Sequence, residues 1–174
     1  MAEIQLTVPV GASDHVQGSE NAMVTLVEYG DYECSYCGQA FPLIKHAQAQ
    51  MGDKLRFVFR NFPLAEMHPH AARAAAAAED ADAQGKFWEM HDVLYENQQN
   101  LEDADLTGYA NRLGLDEKKF AADMKAEKSD AKIQADFMSG AESGVNGTPS
   151  FFINGVRFDG NWQGDGLLQA LQNA

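Results

Sequence analysis

The stretch SFFINGVRFDG, residues 150–160, places two apolar runs on either side of Asn154-Gly155, the strongest short signal for a tight β-hairpin. A two-stranded hairpin is not stable alone in water, so residues 150–159 need a sheet to join. The other strand signals lie about 120 and about 90 residues earlier. MVTLVEY, residues 23–29, is short and rich in β-branched residues, and KLRFVFRNF, residues 54–62, sets Leu55, Phe57 and Phe59 in alternation. From Ser35 the spacing of Ala40, Phe41, Ile44 and Ala47 is helical, with Gly52 placed to stop the helix and Pro42 expected to kink it. Strand, helix and strand within about 40 residues make a βαβ unit, normally parallel and right-handed.

Between this unit and the hairpin lie about 80 residues without a strand signal. Five Ala-rich or amphipathic segments predict five helices, punctuated by Gly85, Gly114 and Gly144, and the alanines at 74–78 permit close helix packing. GDGLLQALQNA closes the chain as a further helix with Leu167, Leu168 and Leu171 on one face. The order is βαβ, helical block, ββα, so the expected class is α/β with an all-helical insertion.

Both cysteines fall in DYECSYCGQAF, at the junction of the first long strand and its helix. Cys34 sits where the backbone N–H groups of residues 36–38 and the positive helix end favour thiolate over thiol. Cys37, one turn on, can close a disulfide with it. A zinc site using the same thiols would need further ligands, and His15, His46, His68, His70 and His91 stand at no familiar spacing from them. An iron–sulfur cluster shared between chains is a further alternative. His68-Pro69-His70 reads as a polar loop opening the Ala-rich helix rather than a ligand pair. Glu28 lies among apolar residues at a strand end and is either a buried carboxyl able to exchange a proton with Cys37 or a solvent-facing residue. Pro149 precedes the hairpin directly, a position where a cis X–Pro bond is an option.

A net charge of −13 argues against nucleic acid or anionic membrane surfaces as partners. No apolar run approaches the roughly 18–20 residues a spanning helix needs. The N-terminal stretch has no basic region followed by an apolar core. A cytoplasmic location is therefore expected, or an extracytoplasmic one if an export signal has been removed.

VTLVEYGDYECSYC, RFVFRNFPL with HPHA after it, and GVNGTPSFFING together resemble the DsbA-like branch of the thioredoxin superfamily, over nearly the whole chain from about residue 16. The resemblance implies a thioredoxin fold over residues 16–63 and 145–174, a helical domain inserted at 64–144, and a leader at 1–15. It implies a protein-disulfide oxidoreductase without a cofactor, acting on protein or peptide thiols and disulfides and served by a redox recycling partner. Cys34 would be the exposed nucleophile, Cys37 the resolving thiol and Glu28 the buried acid. Thr148-Pro149 would form a cis-proline loop that pairs with substrate backbone, with Tyr36 as a further substrate contact. Strongly oxidising members often carry Pro-His between the cysteines, where this chain has Ser35-Tyr36. A less acidic Cys34 and a less oxidising disulfide are then expected. The leader is too short for a dimerisation domain, so a monomer is expected. A peptide-binding chaperone with an incidental redox motif is the remaining alternative.

Overall fold

The computed structural model describes residues 3–174. Val24–Gly30 forms strand β2, as its β-branched content predicts, and after a turn the chain enters the 17-residue helix α1, Ser35–Met51. The helix continues through Pro42 and ends at Gly52, whose φ of 53° suits a residue without a side chain. Strand β3, Leu55–Asn61, then pairs in parallel with β2, setting Leu26 opposite Phe57 and Glu28 opposite Phe59.

The hairpin forms as expected from β4, Ser150–Ile153, and β5, Val156–Phe158. Asn154 and Gly155 both have positive φ, the requirement of its two-residue turn. Strand β4 pairs antiparallel with the other edge of β2, Phe151 opposite Glu28 and Ser150 opposite Tyr29. A strand not read from the sequence, β1, His15–Gln17, lies antiparallel to β3, giving the order β1-β3-β2-β4-β5. With three residues and a single aliphatic side chain it carries no periodic signal.

Alternate residues of the sheet bury two cores. Val24, Leu26, Phe57, Phe59 and Phe151 face α1 and the closing helix α7, Gly166–Gln172. Val27, Tyr29, Val58 and Phe152 pack on the opposite face with Phe62, Val145 and Phe137. The alternation in KLRFVFRNF therefore marks two buried faces of unequal size rather than one wet and one dry face, since Val58 and Arg60 are 0% and 2% exposed. The chain before β1 is tied to this second face. Leu6 N–H donates to Gly155 O at 2.8 Å and Arg157 N–H to Ile4 O at 2.8 Å, so the N-terminal segment covers the β5 edge. All five N–H donors of buried Arg60 are used. They bond Asp14 through both oxygens at 2.8 and 2.9 Å, Tyr29 Oη and Val8 O at 2.9 Å, and Pro9 O at 3.2 Å.

Between β3 and β4 run the five expected helices: α2, Ala71–Asp82; α3, Phe87–Glu96; α4, Asp103–Arg112; α5, Glu117–Lys125; and α6, Asp130–Glu142. Ala74 to Ala78 of α2 are all buried, so the alanine run is an interior helix surface. Helix α6 approaches the sheet through Gly140, where an added Cβ would lie 2.8 Å from a Phe62 ring carbon and 2.9 Å from a Tyr29 ring carbon. Replacing an exposed helical glycine with alanine normally gains about 1 kcal/mol. Gly140→Ala is expected instead to lose about 1–3 kcal/mol, read as a lower urea midpoint with unchanged slope.

Candidate functional site

The chemistry is built at the end of β2. Asp31 begins a turn in which its carbonyl accepts the Cys34 N–H at 3.1 Å. Cys34 occupies the cap position before α1 with extended backbone, φ −73° and ψ 122°. Both cysteines are free thiols. Cys37 points from the first turn of α1 into the core and is 0% exposed. Cys34, expected to be the exposed thiol, keeps 6% exposure. Its S–H donates to the Thr148 carbonyl at 3.5 Å.

Hydrogen bonding nevertheless favours the ionised form. The Cys37 thiol holds the Cys34 pKa down to about 5, helped by the N–H groups of Cys37 and Tyr36, while burial works against them. Of the three N–H groups expected to serve the sulfur, that of Gly38 is spent on the Cys34 carbonyl at 3.0 Å. Cys37 behaves oppositely, because burial, its bond to Cys34 and the nearby Glu28 charge push its thiol well up. At neutral pH the pair is thus one thiolate and one thiol, the arrangement in which one sulfur attacks and the other waits.

Glu28 resolves the two readings of its strand position, since it is 1% exposed and flanked in the sheet by Phe59 and Phe151. Its Oε1 has no hydrogen-bond partner among the described residues. Burial, then the charge on Cys34, pushes its pKa up to about 8, so the carboxyl can hold or release a proton near neutrality.

Because β4 runs antiparallel to β2, the residues just before β4 meet those just after β2. The Thr148–Pro149 peptide bond is cis and lies at this end of the sheet. Tyr36, 56% exposed, joins Thr148, Pro149 and Trp162 around an open groove of about 550 Å³, with Asp159 on its wall. Trp162 also packs edge-on against Phe151, ring centroids 6.2 Å apart.

Other contributors carry no motif. Gln98, from the chain between α3 and α4, donates to the Cys34 carbonyl at 2.8 Å and the Tyr32 carbonyl at 2.9 Å. It passes so close to α1 that a Cβ on Gly38 would fall 2.0 Å from Gln98 Oε1. The glycine following Cys37 was the available signal for that approach. Of the histidines, His91 bonds Tyr32 Oη through Nδ1 at 2.9 Å, and burial drives its pKa well down, so it is neutral. His46 is exposed. His15 lies with Glu79 and Asp82 in the one described cluster spaced for a metal ion, and that cluster contains neither cysteine. His68 and His70, read as a plain loop, bond Asp31 and Glu33 beside the cysteine turn.

A Cys-x-x-Cys pair starting a helix after the central strand, against a cis X–Pro loop, defines a thioredoxin-fold protein with a dithiol site. The chain belongs to the thioredoxin family, whose sequence profile matches residues 11–173. Its fold is that of the DsbA-like proteins. A thioredoxin-like oxidoreductase from Silicibacter pomeroyi DSS-3 is 29% identical, with a TM-score of 0.76 over 86% of this chain and 85% of that one. BdbD from Bacillus subtilis, at 22% identity, shares the fold with a TM-score of 0.79 over 92% of each chain. Among curated sequences, the Na(+)/H(+) antiporter NhaA 1 of Salinispora arenicola is 45% identical over 172 residues, which is 98% of this chain and 26% of that protein. The chain thus spans about a quarter of the length of such relatives. Among the described residues no helix is long and apolar enough to cross a membrane.

The Glu28 carboxyl favours the fold while protonated. That contribution is present below the unfolded value near 4.5 and is lost as pH rises through about 8. Glu28→Gln is therefore expected to equal the parent at pH 4.5 and exceed it at pH 8.5 by an amount on the order of a few kcal/mol, measured by urea unfolding of the reduced protein at both pH values.

Proposed function

We propose that this protein is a thiol-disulfide oxidoreductase that exchanges disulfides with protein or peptide substrates through a mixed disulfide at Cys34, resolved by Cys37. The observation that carries the reading is the pairing of Cys34, at the cap of α1 beside the cis Thr148–Pro149 loop, with a buried Cys37 and a buried Glu28. In the oxidising direction a substrate thiolate attacks Cys34 Sγ of the disulfide, and Cys37 leaves as the less stable thiolate. Glu28, half protonated near pH 8, can supply the proton that the buried sulfur requires. A second substrate thiolate then attacks the substrate sulfur of the mixed disulfide and forms the product disulfide. Cys34 leaves as a stabilised thiolate, so two electrons have passed to the pair. The reverse sequence reduces a substrate, with Glu28 taking the Cys37 proton.

The depressed pKa of Cys34 stabilises the dithiol form, and a stabilised reduced form makes a disulfide more oxidising. This bias supports oxidation of substrate thiols as the working direction, in spite of Ser35-Tyr36 between the cysteines. Such a couple suits a compartment where disulfides persist, outside the cytoplasm. The groove beside Tyr36, Thr148 and Pro149 is open enough to take an extended peptide, which makes these residues the proposed substrate contacts. A recycling partner would reoxidise the dithiol by the same exchange.

Equilibration of the Cys34/Cys37 pair with glutathione is expected to give a potential more positive than about −220 mV, above thioredoxin's roughly −270 mV. Cys37→Ala should accumulate a mixed disulfide when its Cys34 thiolate attacks an unfolded substrate that carries a disulfide, the second substrate sulfur leaving as a thiolate, and Cys34→Ser should form none. Exchange that survives Cys34→Ser would overturn the reading, and a potential below about −270 mV would reverse its direction.

A further inference from the structure

The chain following β3 is fastened to the cysteine turn at two places. Asp31 is 1% exposed. Its carboxylate accepts the Glu33 N–H at 2.8 Å, the Leu64 N–H at 2.9 Å and a bond from His68 Nδ1 at 2.7 Å. Glu33, immediately before Cys34, accepts the His70 N–H at 2.7 Å and bonds His70 Nδ1 at 2.9 Å.

The first of these contacts bears on the reaction. Asp31 is the residue whose carbonyl holds the Cys34 N–H, so a buried negative charge stands three residues from the sulfur that must itself become negative. Like charges at such range oppose each other's formation. The His68 imidazole, with 22% of its side chain exposed, is the only cationic side chain paired with that carboxylate among the described residues.

We propose that His68 is a positioning residue for the thiol chemistry: its imidazolium neutralises Asp31 and so allows the Cys34 thiolate to persist beside a buried carboxylate. The inference rests on the reading of Cys34 as the attacking thiolate and adds an element outside the Cys-x-x-Cys motif that controls it. The groups facing His68 from the turn are Asp31, Glu33 and Cys34, and its own loop contributes Glu66 and His70. His70 is engaged with Glu33 and faces Glu102 and Asp103 at the start of α4.

The coupling is mutual. Burial pulls the His68 pKa down, but the Asp31 bond and the charges of Asp31, Cys34 and Glu33 outweigh it and leave the value above the usual 6.5. Cys34 titrates near 5, where His68 is therefore protonated and its effect complete. The effect fades as pH rises through the His68 value, which lies above 6.5. On reduction of the disulfide two electrons and one proton enter the pair; Cys37 takes the proton and Cys34 remains ionised beside the imidazolium.

The test is the pH profile of Cys34 alkylation by iodoacetamide, with thiolate absorbance as a second readout, in the parent and in His68→Gln, His68→Lys and Asp31→Asn/His68→Gln. The expected result is a Cys34 acid constant about 3–10-fold smaller in His68→Gln. His68→Lys, which keeps a cation without the ring, should stay within about twofold of the parent, and the double variant should recover most of the loss. A simple loss of loop structure would not be reversed by removing the second partner. An unchanged profile in His68→Gln, or a loss in His68→Lys equal to it, overturns the proposal, and these two variants decide it even if the double variant does not fold. A parent Cys34 that titrates near 9 would instead sink the thiolate reading itself, whatever His68 does.

Discussion

Strand β2 is hydrogen-bonded along both edges, parallel to β3 and antiparallel to β4, and the site exists because of that double pairing. The parallel partner requires a crossover, and helix α1 supplies it, so the helix start with Cys34 must fall just beyond the carboxyl end of β2. The antiparallel partner brings its own beginning to the same end, which sets Thr148 and Pro149 against the cysteine turn although more than 110 residues separate them in the chain. The pairing also fixes Glu28 between Phe59 and Phe151, where a shift of one residue would carry it to the other face of the sheet.

Three acidic groups near this point have different surroundings. Glu28 has a wholly buried position and an oxygen without a partner, so it favours the neutral acid. Asp31 is just as buried, yet it accepts two backbone N–H groups and a bond from His68. Cys34, at the helix start, gathers donors from Cys37 and the backbone. Burial alone therefore does not decide ionisation; the donors within reach do. Cys34 raises the Glu28 value, and Glu28 and Cys34 both raise that of Cys37, so the three protonation states are linked.

The regular elements were legible because they are periodic or carry turn chemistry. The alternation of β3, the Asn154-Gly155 turn, the cysteine pair at a strand–helix junction and the five helical segments all leave such traces. Strand β1 leaves none, since it is defined by pairing with β3 at least 40 residues away. The same holds for Arg60, which reads as the polar face of a strand but lies buried because Asp14, Val8 and Pro9 wrap over it. Glu28 stood at the limit of what a pattern can decide: the flanking apolar residues were visible, but the two phenylalanines enclosing it come from different strands. The burial of Cys34 leaves no trace in its own motif for a related reason: the Thr148 carbonyl it bonds belongs to the loop before β4.

The helical block and the chain leading to it are part of the chemistry as well as of the packing. Tyr95 and His91 of α3 pack around Tyr32, the residue two before Cys34. Gln98 holds the Tyr32 and Cys34 carbonyls, and His68 reaches Asp31 from the segment that enters α2. Each contact ends on the turn of residues 31–34, not on the sulfurs themselves. A displacement of these helices would therefore act on Cys34 first through its backbone, by changing the direction of the N–H groups that stabilise its charge. Gly38 expresses the same dependence from the other side: its missing side chain is the space through which Gln98 reaches the turn, so the first turn of α1 and the α3–α4 connection constrain each other's geometry.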